Sequence, residues 1–429
     1  MSTIELTPPK KGINGTIEVP GDKSISHRAV IFSGIAEGTS KITNFLTGED
    51  CMRTVQAFRQ MGVSIEQHED ELTVHGKGIR SLSEPVAPIN FGNSGTTARL
   101  MSGVLAGLPL FSTAFGDESL SKRPMDRVVV PLRDMGAKIS GRKNGGLLPL
   151  SFDGSRLKGT THELQVRSAQ VKSSLLLAGM LAEGETKVIE AGTTRNHTEM
   201  LMPQYGIDLE VEGRVITIKG EQQPKAADLR VPGDISSAAF FIVGAAITPG
   251  SRLTIRNVGL NVTRNGIVQV MKLMGANITT TVHTHIGDEP VGDIHVESST
   301  LSAISIEGDM IPNVIDEIPI LALAATQAEG TTEIKDAKEL RFKETDRIKA
   351  VAENLRKLGA KVEEREDGLQ IEGEASLSGG TLQSFGDHRI GMMGAIASLI
   401  SENVISIQDK ECINISYPSF FNDLKKVLL

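Results

Sequence analysis

Cysteine occurs only twice in the 429 residues, at Cys51 and Cys412, tryptophan is absent and tyrosine occurs twice. Cysteines 361 positions apart give neither a disulfide framework nor a CxxC metal site, so stability has to come from buried apolar surface, which a chain of this length provides. Long apolar runs are missing too. Ala238 to Ile247, about ten residues, is half of what a membrane-spanning helix needs, and MSTIELTPPKK has no signal-peptide core. A cytoplasmic protein without membrane attachment is expected. Lys plus Arg at 45 against Asp plus Glu at 53 gives 45 − 53 = −8, which together with the scarcity of aromatic platforms argues against a nucleic-acid partner. No GxxxxGK followed by Ser or Thr, no GxGxxG after a strand, no HExxH and no GxSxG is present, which excludes the commonest nucleotide, zinc and serine-nucleophile sites. Alternation puts His283 and His285 on one strand face with His295 nearby; this reads as a surface pair, and no metal is expected.

What the chain does contain is repetition. One short pattern appears five times: MGVSI at 61, MGAKI at 135, YGIDL at 205, MGANI at 274 and LGAKV at 358, at intervals of 74, 70, 69 and 84. Each copy follows an amphipathic stretch and precedes an alternating run, so its glycine reads as a helix C-cap before a strand. A second pattern appears six times: VPGDKSISHRA at 19, NFGNSGTTARL at 90, QVRSAQVKSSLLLAG at 165, VPGDISSAAFFIVGA at 231, EGDMIPNVIDEIPILALAA at 307 and SFGDHRIGMMGAIA at 384. Each predicts a short strand, a polar turn with an N-capping side chain, and a small-residue apolar helix. A third, AEGTSKI and its five relatives, predicts a turn entering a strand. Six units of 429/6 = 71.5 residues follow. The sixth ends in a helix over Pro418 to Leu429, and the spare strands within Ile4 to Val19 are expected to close it. The matching VPGD turns split the chain into two similar domains of three units, 20–231 and 1–19 with 232–429, linked by two crossing strands.

Five of the six second-pattern helix starts carry groups suited to anions: Lys23, Ser24 and Arg28; Asn93 to Thr97; Ser168 and Gln170; Asp316 with Glu317; and His388 with Arg389; the exception, VPGDISSAA, is uncharged after Asp234. Helix N-termini present unpaired N–H groups and partial positive charge, so several converging would bind phosphate or carboxylate. Arg123, Arg195, Lys343 and Arg347 add cations on a chain of net charge −8. KETDR places Lys343 and Arg347 at i, i+4 on one helical face, either as an ordinary ion-pair network or with Arg347 gripping a carboxylate while Glu344 and Lys343 exchange protons. The apolar stretch VIDEIPI is expected to push Asp316 or Glu317 toward general-base behaviour, against the plain alternative of a helix-start charge.

VPGDKSISHR, GNSGTTAR, SKRPM, SAQVKSSLLLAG, RFKETDR and GDHRIGM, in this order along the whole chain, resemble the signatures of the 5-enolpyruvylshikimate-3-phosphate synthase family. The resemblance implies an α/β (α+β) fold of two domains, each of three βαβαββ units, with a cleft that closes on substrate. It also implies transfer of the enolpyruvyl group of phosphoenolpyruvate to the 5-hydroxyl of shikimate 3-phosphate with release of phosphate, without a cofactor, by a cytoplasmic monomer and glyphosate target. By motif, Lys23, Ser24, Arg28, Ser168, Ala169, Gln170, Arg195, Asp316 and Lys343 would meet shikimate 3-phosphate. Lys23, Gly95, Arg123, Gln170, Arg347 and Arg389 would meet phosphoenolpyruvate. Asp316, Glu344, Lys343 and Lys23 would carry the catalysis, with Asp316 accepting the hydroxyl proton and Glu344 with Lys343 handling the methylene proton.

The sequence departs from the family pattern in places. Ile415 stands where many members have a lysine, and SAQ, Leu100 and Arg195 look like the second class of the family, often less sensitive to glyphosate, whereas Gly95 points the other way. A sister family that acts on UDP-N-acetylglucosamine carries a cysteine shortly before the KRP-like arginine, and Asp117 to Lys122 has none. A non-catalytic phospho-ligand sensor would have no use for Asp316, Lys343 and Glu344 together.

Overall fold

The computed structural model describes residues 2–9 and 11–428, so the expected end of the last helix, Leu429, lies outside the described residues. Two compact units emerge. The first is Lys23–Val231 with Ile286–Asp288; the second takes the chain up to Asp22, then Pro232–His285, and resumes at Glu289. Each has its own apolar core.

The repeat is a four-stranded sheet with one inner and one outer helix. In the third repeat, Thr161–Glu163 leads into the inner helix Ala169–Leu181 and pairs in parallel with Glu185–Ile189; the outer helix and the hairpin Leu209–Glu212 and Val215–Lys219 complete the sheet. The second and fifth repeats have the same strand order. The six inner helices are Lys23–Ile35, Gly95–Gly107, Ala169–Leu181, Ile235–Ile247, Ile318–Ala325 and His388–Ala397. They are apolar on nearly every side, so each is stable only when covered all round. Small residues let them approach closely: a Cβ on Gly103 would lie 2.1 Å from the Ser174 carbonyl oxygen of the neighbouring inner helix.

Local chemistry sets the ends of these elements. Ser94, Ser168, Asp234 and Asp387 each accept a hydrogen bond from a backbone N–H of the helix they precede, the N-caps that the second pattern predicts. The five glycines of the first pattern have φ between 71° and 99°, the left-handed turn that ends the outer helix and starts the hairpin. The amphipathic stretches before them are the outer helices, as at Glu49–Gln60 and Arg347–Lys357.

The chain termini follow the expectation in part. Thr3–Leu6 pairs antiparallel with Ile405–Gln408 and closes the sixth sheet. Asn14–Glu18 does not join it; it pairs in parallel with Arg252–Gly259 and leads the sheet of the fourth repeat. Correspondingly, Leu229–Arg230 leads the sheet of the first repeat, parallel to Glu37–Thr43. The strands ahead of the two VPGD turns are thus exchanged, each completing the other's sheet.

The two VPGD turns pair with each other: Asp22 N–H donates to the Pro232 carbonyl at 2.8 Å and Asp234 N–H to that of Pro20 at 2.9 Å. Arg264, buried, holds both acids, with Nη1 3.5 Å from Asp22 Oδ2 and Nη2 3.1 Å from Asp234 Oδ1. Beside them Glu289 accepts from Asn261 Nδ2 at 2.8 Å. Burial, with a smaller contribution from Asp22, pushes the Glu289 carboxyl up to about 7. The folded protein therefore keeps this proton at pH values where the unfolded chain, near 4.5, has released it. The resulting stability is complete below about pH 4.5 and is lost as the pH rises through 7. Glu289→Gln, a mimic of the protonated form, is expected to gain about 2 to 3 kcal/mol relative to the parent between pH 5 and pH 8. Urea unfolding of both proteins at the two pH values measures this, and parallel profiles would remove Glu289 as the titrating group.

Candidate functional site

In the first unit, the sequence-predicted residues gather at the N-terminal ends of three inner helices. Arg28 is only 4% exposed. Its Nε donates to Thr198 Oγ1 at 2.7 Å, Nη2 to Ser173 Oγ at 2.7 Å and Nη1 to the Ser24 carbonyl at 2.9 Å. Lys23 opens the first helix and meets Asp50 Oδ2 at 3.1 Å. Between them His27 is buried, its Nδ1 2.7 Å from Thr54 Oγ1. Burial first, then the charges of Lys23 and Arg28, hold its pKa well below the ordinary histidine value, so the ring stays neutral among the cations. Thr54 continues to Thr97 at 2.8 Å and Thr97 to Ser94 at 2.8 Å, tying the starts of the first two inner helices together.

The second helix start carries Gly95, where a Cβ would lie 2.7 Å from Arg99 Nη1 and 3.4 Å from Arg123 Nη1. Arg123 donates from Nη2 to Asn93 Oδ1 at 2.6 Å and to Ser119 Oγ at 3.3 Å. Gln170, on the third helix start, accepts from Arg99 at 3.1 Å and donates to Thr96 Oγ1 at 3.0 Å. Ser168 caps that helix and Ala169 is its first residue. Arg195 stands in the loop before His197–Leu201, three positions from the Thr198 that holds Arg28. Arg99, Asp50, Ser173 and Thr198 were not singled out by sequence reasoning; a helical i, i+4 offset from Gly95 was the available signal for Arg99.

The second unit gathers carboxylates around cations. Arg347, 2% exposed, donates from Nε to Asp387 Oδ2 at 2.8 Å, from Nη2 to Glu344 Oε2 at 2.5 Å and from Nη1 to Asp316 Oδ1 at 3.4 Å. Burial opposes its charge, but the carboxylates of Asp387, Glu344 and Asp316 outweigh that cost and raise its pKa above the usual arginine value. Lys343 Nζ lies 3.4 Å from the same Asp316 oxygen. Arg389 meets Glu317 Oε1 at 3.5 Å, and Glu317 also accepts from Ser236 Oγ, which in turn accepts from Arg264 Nη2 at 2.7 Å.

Three sequence expectations change here. KETDR is not one helical face: Lys343 is extended and the helix begins at Arg347, capped by Asp346. Threonine and aspartate compete for backbone hydrogen bonds and favour that start. Asp316 does not sit in apolar surroundings but between two cations. The start of the fourth helix is not without charge, because the fold brings Arg264 to Asp234. Arg264 was not singled out in the sequence; the recurrence of Thr-Arg-Asn from 194–196 at 263–265 was the signal available for it.

Ile415 is half-buried against the apolar core of the second unit. His283 meets Asn257 and His295 meets Thr254, each through a ring nitrogen, and among the described residues no three His, Cys, Asp or Glu side chains converge as metal ligands. Among the described residues, no helix is long and apolar enough to cross a membrane.

Comparison with known proteins fits this arrangement. Residues 7–424 match the family model of EPSP synthase (3-phosphoshikimate 1-carboxyvinyltransferase). The chain is 53% identical over 428 residues to a 3-phosphoshikimate 1-carboxyvinyltransferase of Oceanobacillus iheyensis, and 51% identical over 427 residues to one of Bacillus cereus, with all of each chain covered. Among solved structures, the EPSP synthase of Acinetobacter baumannii superposes with a TM-score of 0.90 at 44% identity, covering 100% of this chain and 99% of the other. The six repeats, the arginine-lined helix starts and these likenesses over the full length establish that the chain belongs to the EPSP synthase (3-phosphoshikimate 1-carboxyvinyltransferase) family.

Proposed function

We propose a division of labour between the two groups of residues in a reaction that the family fixes. The enzyme transfers the enolpyruvyl group of phosphoenolpyruvate to the 5-hydroxyl of shikimate 3-phosphate and releases phosphate, a step of aromatic amino-acid biosynthesis. Lys23, Ser24, Arg28, Ser168, Ala169, Gln170 and Arg195 bind shikimate 3-phosphate. Arg123, Arg347 and Arg389, with Lys23, neutralise the phosphate and carboxylate of phosphoenolpyruvate, Gln170 donates a hydrogen bond to it, and Gly95 leaves room for close approach. The protein works as a cytoplasmic monomer on these two small molecules and binds no nucleic acid.

The observation that carries the reading is the cluster in which Lys343 and Arg347 both lie 3.4 Å from one oxygen of Asp316, with Glu344 on the same guanidinium. Addition needs a base at the attacking hydroxyl and an acid at the methylene carbon of the enol; elimination of phosphate from the tetrahedral adduct then removes a proton from the methyl carbon so formed. Asp316 takes the hydroxyl proton, held in place by the two cations. Glu344 and Lys343 deliver and recover the proton at carbon. Retention of these proton-transfer groups beside the anion-binding arginines favours an enzyme over a phospho-ligand sensor.

Asp316→Ala is expected to cut turnover roughly 10²- to 10⁴-fold while shikimate 3-phosphate still binds with nearly parental affinity. An unchanged rate removes Asp316 from the mechanism. Arg28→Ala is expected to do the converse, weakening shikimate 3-phosphate binding roughly 10- to 100-fold through lost charge-assisted hydrogen bonds. Isothermal titration with that substrate decides, and parental affinity would withdraw the role given to Arg28.

A further inference from the structure

We propose that Lys172 is a positioning residue for substrate binding: with Glu190 and Glu199 it clips both ends of the 190–199 loop to the third inner helix and so sets where Arg195 stands. The inference rests on the reading of Arg195 as a shikimate 3-phosphate ligand. The reaction scheme leaves this ion cluster unused.

Lys172 is fully buried in the helix Ala169–Leu181, whose other buried residues are apolar or small. Its Nζ lies 2.9 Å from Glu190 Oε1 and 2.5 Å from Glu199 Oε1, and both glutamate side chains are 8% exposed. Glu190 ends the strand side of the loop and Glu199 lies in the short helix on the other side, so one cation grips both ends of the segment bearing Arg195. Inside the loop, Thr194, next to Arg195, donates from Oγ1 to Glu190 Oε1 at 2.5 Å. The neighbouring residues repeat the contact: Ser173 and Thr198 hydroxyls lie 2.6 Å apart. Two adjacent helix residues therefore hold two adjacent loop residues.

Stability alone does not account for the arrangement. Apolar side chains of similar volume fill such a space about as well as an ion cluster, because burying three charges costs much of what their attraction returns. What apolar contacts lack is direction. The paired charges, with the Thr194–Glu190 and Ser173–Thr198 hydrogen bonds, hold the loop in one place, which is what an arginine meeting a substrate from a loop requires.

The test is the charge-free triple variant Lys172→Met, Glu190→Gln, Glu199→Gln, compared with the parent in an Arg195→Ala background and alone. The expected result is a folded protein by circular dichroism whose affinity for shikimate 3-phosphate falls roughly 10- to 100-fold, with the KM for phosphoenolpyruvate unchanged. In the Arg195→Ala background the triple change should cost little more, since the group it positions is gone. A folded variant with parental affinity overturns the proposal, as does an equal loss in both backgrounds. Should the triple variant not fold, Glu190→Gln alone is read in the same cycle, with a smaller loss expected only when Arg195 is present. Arg195→Ala by itself separates the two layers: unchanged affinity there sinks the ligand role and the inference with it, whereas weakened binding with a silent triple variant sinks the positioning alone.

Discussion

A helix that is apolar on every side has to be covered on every side, and six such helices dictate how this chain is built. Ile235–Ile247 is buried along its whole length, and the other inner helices nearly so. Their flanks are closed by sheets, outer helices and one another, as where Gly103 meets Ser174. Only their ends remain for polar chemistry. N-terminal ends attract anions, and the residues that the family resemblance singles out stand there or in the loops just beside: Lys23, Gly95, Gln170, Asp316 and Arg389.

Cations placed at buried helix ends create a second constraint. A buried guanidinium needs partners that offset its desolvation, and each of the deeply placed arginines of the second unit has carboxylates: Arg264 with Asp22 and Asp234, Arg347 with Asp316, Glu344 and Asp387, Arg389 with Glu317. Two of those counter-charges, Asp316 and Glu344, are the groups assigned to proton transfer. On the proposed reading, the requirement that holds these arginines in place thus also brings the proton-transfer groups to the same spot. The series Arg264, Ser236, Glu317, Arg389 extends this from the paired VPGD turns to one of the arginines assigned to phosphoenolpyruvate.

Much of this architecture was legible in the sequence because the repeat is written in local rules. Glycines with positive φ at Gly62, Gly136, Gly206, Gly275 and Gly359, and caps at Ser94, Ser168, Asp234 and Asp387, recur at the spacing the motifs predict. Non-local pairing was harder to see. Alternation in Asn14–Glu18 identifies a strand but not its partner, and the strand joins Arg252–Gly259 rather than the sixth sheet. KETDR fits a helical face by spacing alone, yet Asp346 caps a helix that starts only at Arg347. The network around Arg264 and the cluster at Lys172 join residues remote in sequence, and only the recurrent Thr-Arg-Asn hinted at the first. Motif resemblance identified the candidate ligands; the partners that hold them came from the fold.

The account stands most directly on the acceptor that the enzyme requires. Phosphate release should be measured with phosphoenolpyruvate and shikimate 3-phosphate together, with each alone, and with phosphoenolpyruvate and UDP-N-acetylglucosamine. The account predicts release only when phosphoenolpyruvate and shikimate 3-phosphate are both present. Release supported by UDP-N-acetylglucosamine instead, or none with either acceptor from folded protein, would contradict it.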